Sequence, residues 1–329
     1  MKQLAILSAL YILMQCIVSS HALAAAPVDD AGRPLIKKLG TIDTDAVECT
    51  PIVFNGKLYR FQWVRTNNAD NILGKNYLRL LDTETGKSTE PFGIDHAFGS
   101  AFVDNGTVYV TGTSTEASGA GQRVNIFAST DLKNWKQWNA LDLDGWRIYN
   151  TSICKAGDTY VMMFEIAEPK QEAGVAFTPR FAKSKDLKKW ELTPPECVYG
   201  QDRYAAPHCL RYHDGWFYNF YLEAGKKTGY ETYVVRSRDL ENWAPSSLNP
   251  VLRASKDDKK IASNRLTAKQ LKRVEKAENC NNSDIDFCNY QGKLVIYYSW
   301  GNQRGEEFLA EAEYDGTTGQ FLEGWFPKK

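Results

Sequence analysis

The feature that most constrains this chain is an internal repeat. Ser129-Thr-Asp131-Leu-Lys-Asn-Trp135, Ser184-Lys-Asp186-Leu-Lys-Lys-Trp190 and Ser237-Arg-Asp239-Leu-Glu-Asn-Trp243 share the pattern SxDLxxW at intervals of 55 and then 53 residues. A fixed period of this size marks an array of equal supersecondary units rather than one irregular core. A unit this long, closed by a short polar box and a tryptophan, suits four short strands better than a pair of helices.

A second marker precedes the first. The segments 50–59, 100–109, 151–160, 209–218 and 286–295 each hold an apolar run, a polar turn and another apolar or aromatic run. Their turns centre on Gly56, Gly106, Gly157, Gly215 and Gly292. Asn-Gly and Asp-Gly between extended runs are the preferred two-residue hairpin turns, because both positions need positive φ. Five hairpins, each followed by one or two outer strands, predict an all-β chain folded as a five-bladed β-propeller, a ring with only short protected edges. The expected blades are 41–92, 93–143, 144–197, 198–252 and 279–326, after a lead-in at 25–40. Residues 256–278 break the pattern: they are highly charged, Thr267 and Gln270 form a capping box, Leu266 and Leu271 a hydrophobic staple, and Leu271 with Val274 an apolar stripe. A short helix inserted between blades four and five is predicted there, its lysines and arginines forming a solvated face.

Composition then limits the partners. With 43% hydrophobic and 12% aromatic residues the chain can bury a core, and 40 basic against 40 acidic residues leave no excess to drive nucleic-acid binding. Lys2, the apolar run from Leu4 to Ser19 and the small-x-small site Ala22-Leu23-Ala24 predict a signal peptide over 1–24 and a secreted or periplasmic protein, without membrane attachment after cleavage. Six cysteines would remain, at 49, 154, 197, 209, 280 and 288. Most sit in apolar runs as small buried groups, so at most one disulfide is expected, with Cys280 and Cys288 the candidates. No zinc-ligand spacing occurs, and neither metal nor cofactor is expected.

In a propeller, the starts of the first strands and the ends of the second strands emerge on one face. The starts are Glu48, His96, Asn150, His208, and Asp284 with Asp286. The ends are Arg65, Thr113, Glu165, Glu223, and Trp300 with Asn302, and the third strands add Arg123, Arg180, Glu231 and Glu307. Carboxylates, imidazoles and an aromatic surface at one mouth suit a carbohydrate, whose hydroxyls need charged partners and whose C–H face needs an apolar one. Asp284 and Asp286, two apart on a strand, would face the same way and perturb each other.

These hairpins and SxDLxxW boxes resemble the five-bladed β-propeller glycoside hydrolases of families 32, 43, 68 and 117, over roughly residues 40–326. A related box in sialidase propellers carries Gly where this chain has Leu132, Leu187 and Leu240. The resemblance implies a hydrolase that uses a carboxylate base on the first inner strand, a second carboxylate that tunes the acid, and a Glu acid on a later strand. Glu48 matches the base position and Asn150 the tuning position. Ala205-Ala206-Pro207-His208 resembles the Glu-Gly-Pro-His stretch of the acid, with Ala205 in place of its Glu. The acid role then passes to Glu165, Glu223 or His208, the base could be reassigned to Asp284, or the protein binds sugar without cleaving it. The reading is thus an exported glycoside hydrolase acting on terminal sugars of a plant or algal polysaccharide. Its catalytic candidates are Glu48, Glu165 and Asp284, and its substrate-binding candidates are His96, Asn150, Arg180, His208, Glu223, Glu231, Asp286 and Trp300.

Overall fold

The computed structural model describes residues 26–116, 119–225 and 229–327; the expected signal peptide lies outside the described residues. Strand β1 (Lys37–Thr44) precedes a series of antiparallel meanders. The first is β2 (Thr50–Phe54), β3 (Lys57–Val64) and β4 (Tyr77–Asp82); the second is β5 (His96–Ala97), β6 (Ala101–Asp104), β7 (Thr107–Glu116), β8 (Gly119–Ser129) and β9 (Lys136–Asp142). The third is β10 (Arg147–Ala156), β11 (Thr159–Glu168), β12 (Thr178–Ser184) and β13 (Glu191–Leu192). The fourth is β14 (His208–His213), β15 (Trp216–Gly225), β16 (Gly229–Ser237) and β17 (Ala244–Pro245). The last is β18 (Asn281–Tyr290), β19 (Lys293–Gly301) and β20 (Glu307–Tyr314), linked to the fourth by one parallel pairing, Tyr230 with Asn281.

Hairpin chemistry sets this pattern. Asn55-Gly56, Asn105-Gly106, Asp214-Gly215 and Gln291-Gly292 all have positive φ at both central positions, the backbone that matches the twist of the flanking strands. The third hairpin differs by one residue: Ala156 pairs with Thr159, so Gly157 is the first turn residue rather than the second. First strands of neighbouring meanders touch in order, β2 on β6, β6 on β10, β10 on β14, β14 on β18, and β18 on β2. Apolar clusters fill the space between sheets, such as Ile126, Ile153, Phe164 and Leu187.

The SxDLxxW boxes are turns held by their own polar side chains. Ser129 donates to Asp131, Asp131 accepts the amides of Lys133 and Asn134, and the same bonds recur at Ser184/Asp186 and Ser237/Asp239. Leu132, Leu187 and Leu240 adopt φ of 60°, 63° and 72°. That left-handed backbone favours glycine, which explains why related boxes carry it there; here burial of Leu187 and Leu240 against the core offsets the strain. Trp135 stacks on Phe92 at 3.8 Å, tying the box to the preceding sheet.

Two organisational expectations change. Residues 37–44, divided between the lead-in and the first blade, pair with β20 and complete the last sheet, a contact between chain ends that no local pattern carries. The six cysteines among the described residues are unpaired. Cys280 immediately precedes β18 and Cys288 lies near its far end, separated by roughly 25 Å at strand rise, far beyond disulfide reach. Within the charged insert, a 3-10 turn (Lys256–Lys259) precedes helix α2 (Ala268–Lys276), where Thr267 and Gln270 cap each other reciprocally and Val274 enters the core. Two short helices complete the fold, α1 (Lys170–Ala173) and α3 (Thr318–Gly324). No helix among the described residues is long and apolar enough to cross a membrane.

Candidate functional site

One register position recurs in all five hairpins. Six residues before the last paired residue of each first strand stand Glu48, Phe98, Asn150, Pro207 and Asp284. All five line one cavity of about 200 Å³. Glu48, Phe98 and Asp284 have φ of 54°, 54° and 53°, and this left-handed step interrupts strand alternation just before the ladder begins.

The cavity has two kinds of lining. Phe98, Tyr149, Phe177 and Tyr204 form a chain of edge-to-face contacts with centroid separations of 5.2, 4.7 and 5.7 Å, and Trp63 extends it behind Phe98 at 4.4 Å. The same cavity is lined by Glu48, Asp284 and Glu307, with Gln303; Glu165 joins them from β11. Arg65 is the cationic residue of the lining, and its guanidinium is bonded to Glu307 at 2.8 Å. Asn150 donates its amide to Glu165 at 3.0 Å.

Crowding and burial set the protonation states. Burial pushes the Glu48 carboxyl up to about 8; Asp284, Glu165 and Glu307 add to the rise and Arg65 opposes it. Burial also raises Asp284 to about 7, with Glu307 adding and Ser299, Ser283 and Arg65 opposing. Burial, followed by the charges of Glu165, Asp284 and Glu48, holds the Tyr204 phenol above its ordinary value. At neutral pH Glu48 therefore holds a proton that it can give.

A smaller adjoining space of about 30 Å³, large enough to hold a water, is lined by Glu48, Asn150, Thr50, Ser152, Asp284 and Asp286 among others. Buried Glu48 Oε2 and Asn150 Oδ1 have no protein partner.

The expected site residues divide accordingly. Glu48, Glu165, Asp284 and Asn150, with Arg65 and Glu307, meet in the cavity. Asp286 does not face it with Asp284: a register shift between Ser283 and Asp286 breaks the alternation, and Asp286 lies deeper, paired with Arg211. His96 is two residues out of register with Phe98; its ring contacts Ile94 O at 2.9 Å and Asn125 at 2.8 Å, and burial lowers its pKa. Trp300, expected on the rim, is fully buried, donates to Thr41 at 2.9 Å and stacks on Phe308. Arg180 is paired with Glu172, Glu223 with Arg203, and Glu231 with Arg253, all outside the cavity lining. Of His208 only the backbone is described, pairing with Tyr221. Ala205 is buried against Tyr221 and Val235, while Ala206 and Pro207 line the cavity. The aromatic belt escaped sequence reading, although Phe98 shares the register position of Glu48 and was open to the same count.

No protein-family model and no curated protein sequence matches the chain. Solved structures do. A protein from a BT0996 complex with RGII is 15% identical, covering 88% of this chain and 90% of its own, with a TM-score of 0.56. A thermostable family-43 glycoside hydrolase is 13% identical, covering 85% and 93%, with a TM-score of 0.58. The GH43_1 enzyme from Xanthomonas citri, complexed with xylotriose, is 13% identical, covering 85% and 89%, with a TM-score of 0.51. The chain shares the strand-rich fold of these glycoside hydrolases.

Proposed function

We propose that this chain is a glycoside hydrolase of five-bladed propeller form that removes a terminal sugar from a plant or algal polysaccharide. The observation that carries the reading is the cavity itself: four carboxyl residues and an aromatic belt lining one space of about 200 Å³. The belt takes the C–H face of a sugar ring and turns its glycosidic bond toward the carboxyls. Glycoside hydrolysis needs one carboxyl protonated and another ionised. Glu48, expected as the base, is raised to about 8 by burial and by the charge of Asp284 and in this proposal takes the acid role instead, supplying the proton to the leaving oxygen. Glu165, oriented by Asn150, accepts a proton from the attacking water. The small cavity size favours one terminal residue over an internal stretch of polymer. The likeness to enzymes solved with RGII and xylotriose supports plant cell-wall fragments as the class to test. Export through the 1–24 leader belongs to the same proposal and is checked by N-terminal sequencing of the mature protein.

Incubation with neutral xylo-, arabino- and rhamnogalacturonan-derived oligosaccharides should release a monosaccharide, and Glu48→Gln and Asp284→Asn should each abolish most of that release. Full activity in both variants would refute the assignment. Ala205 at the acid position and Asn150 at the tuning position favour a second reading, a sugar-binding protein without catalysis. Calorimetric binding with no product after prolonged incubation would select it.

A further inference from the structure

We propose that the outward face of α2 is a docking strip for an acidic polysaccharide, a polymer carrying carboxylates along its length, beside the sugar cavity. Residues 253–276 carry nine basic side chains against three acidic ones in a chain of zero net charge. Several are already engaged: Arg253, Lys260 and Arg273 in ion pairs, and Arg265 with the carbonyl oxygens of Thr83 and Glu84. Lys269, Lys272 and Lys276 are exposed, with no ion pair or hydrogen bond among the described residues. Their spacing of three and then four residues puts them on one helix face, spanning about 10 Å of rise. Val274, on the other side of the helix, is buried in the core at 1% exposure.

The helix is seated beside the cavity. Arg273 bonds Asp45 through two contacts of 2.7 and 2.8 Å, and the Asp45 amide donates to the carbonyl of Glu307, a cavity residue, at 3.0 Å. An acidic polymer therefore meets two unlike surfaces side by side. The guanidinium in the cavity lining is already paired with Glu307 and offers a uronate no free cation, while the lysine strip attracts one. The polymer backbone rests on α2 and a neutral branch enters the cavity; this last clause rests on the cavity reading above. A lipid surface is disfavoured because α2 offers it a single large exposed apolar side chain, Leu271, while Val274 is packed in the core.

Affinity electrophoresis in gels containing polygalacturonate, neutral dextran or duplex DNA tests the proposal on the full chain. Polygalacturonate should retard the wild type at low salt and much less at about 0.5 M salt, where charges are screened within a few ångströms. Lys269→Glu/Lys272→Glu/Lys276→Glu should weaken that retention about tenfold, and the corresponding triple Gln variant about threefold, from three exposed charge contacts. Dextran should retard none of them, and hydrolysis of short neutral oligosaccharides should be unchanged in folded variants. No retention by polygalacturonate, equal retention of wild type and both variants, or tighter retention by DNA would overturn the proposal. Retention without hydrolysis of any sugar would refute the catalytic reading and leave this one standing.

Discussion

Asn150 Nδ2 donates to Glu165 Oε2 at 3.0 Å across the hairpin of β10 and β11, inside the cavity where Glu48 and Asp284 also meet. A neutral amide thus orients one carboxyl where the resembled family would place another carboxylate. Asn150→Ala removes that orientation without removing a charge. It should lower kcat about tenfold or more while KM stays close to wild type, the signature of a group that positions the base rather than binds substrate. A loss confined to KM would place Asn150 on the sugar instead.

The catalytic and structural carboxylates separate by their variants. Glu48→Gln, Asp284→Asn and Glu165→Gln should each reduce kcat by about a hundredfold or more with the melting temperature held or raised. Asp286→Asn should do the reverse, because it leaves Arg211 without its partner in a buried setting: stability falls by about 3 kcal/mol and the folded fraction stays active. Chemical denaturation alongside kinetics distinguishes the two. An inactive but fully stable D286N protein would contradict the placement.

Stability should fall as pH rises. Glu48 and Asp284 move from ordinary values of 4.5 and 3.8 to about 8 and about 7, and burial also lifts Glu311 to about 7. The folded protein then holds more protons than the unfolded chain between about pH 4 and pH 8, so unfolding becomes easier across that window. Melting temperatures should be highest near pH 5 and decline toward pH 8, and Glu48→Gln should flatten part of the slope, Asp284 and Glu311 retaining the rest. A melting temperature that rises across this range would show that these carboxyls are ionised in the fold.

Removing the belt should weaken binding more than chemistry. Tyr149→Ala and Phe177→Ala each take a ring out of the edge-to-face chain and should raise KM about tenfold, with kcat changed less. Steady-state kinetics on an oligosaccharide substrate checks it.

Thiol titration tests the unpaired cysteines. Burial pushes Cys49 and Cys154 up to about 12, so native protein should react slowly with a thiol reagent. After denaturation without reductant, six thiols should appear in a chain that has lost the proposed 1–24 leader. Four would reveal a disulfide.

How much of this was legible beforehand depended on the length scale of each cause. Gly56, Gly106, Gly215 and Gly292 announced their hairpins because positive φ is a local demand, and Thr267 with Gln270 announced the helix cap for the same reason. Glu48, Asn150 and Asp284 were reachable by counting back from those turns. His96 and Trp300 were misplaced because counting from the start of a strand, rather than from its turn, slips the register and exchanges a cavity position for a core one. Asp286 failed for a related reason: a bulge at Asp284 breaks the two-residue period that pairs the two acids on paper.

The amino-acid sequence by itself determined the repeating unit, its turns, the all-β character and the inserted helix, since each follows from contacts within about ten residues. Tertiary structure alone decided that β1 completes the last sheet, that Phe98, Tyr149, Phe177 and Tyr204 form one belt, and that four carboxyls from three parts of the fold share one space, Asp284 and Glu307 coming from the same sheet. The physical reason is distance along the chain. Glu48 and Asp284 acquire their raised protonation only when residues more than two hundred positions apart lose water together, and no local pattern records which charges will then be neighbours.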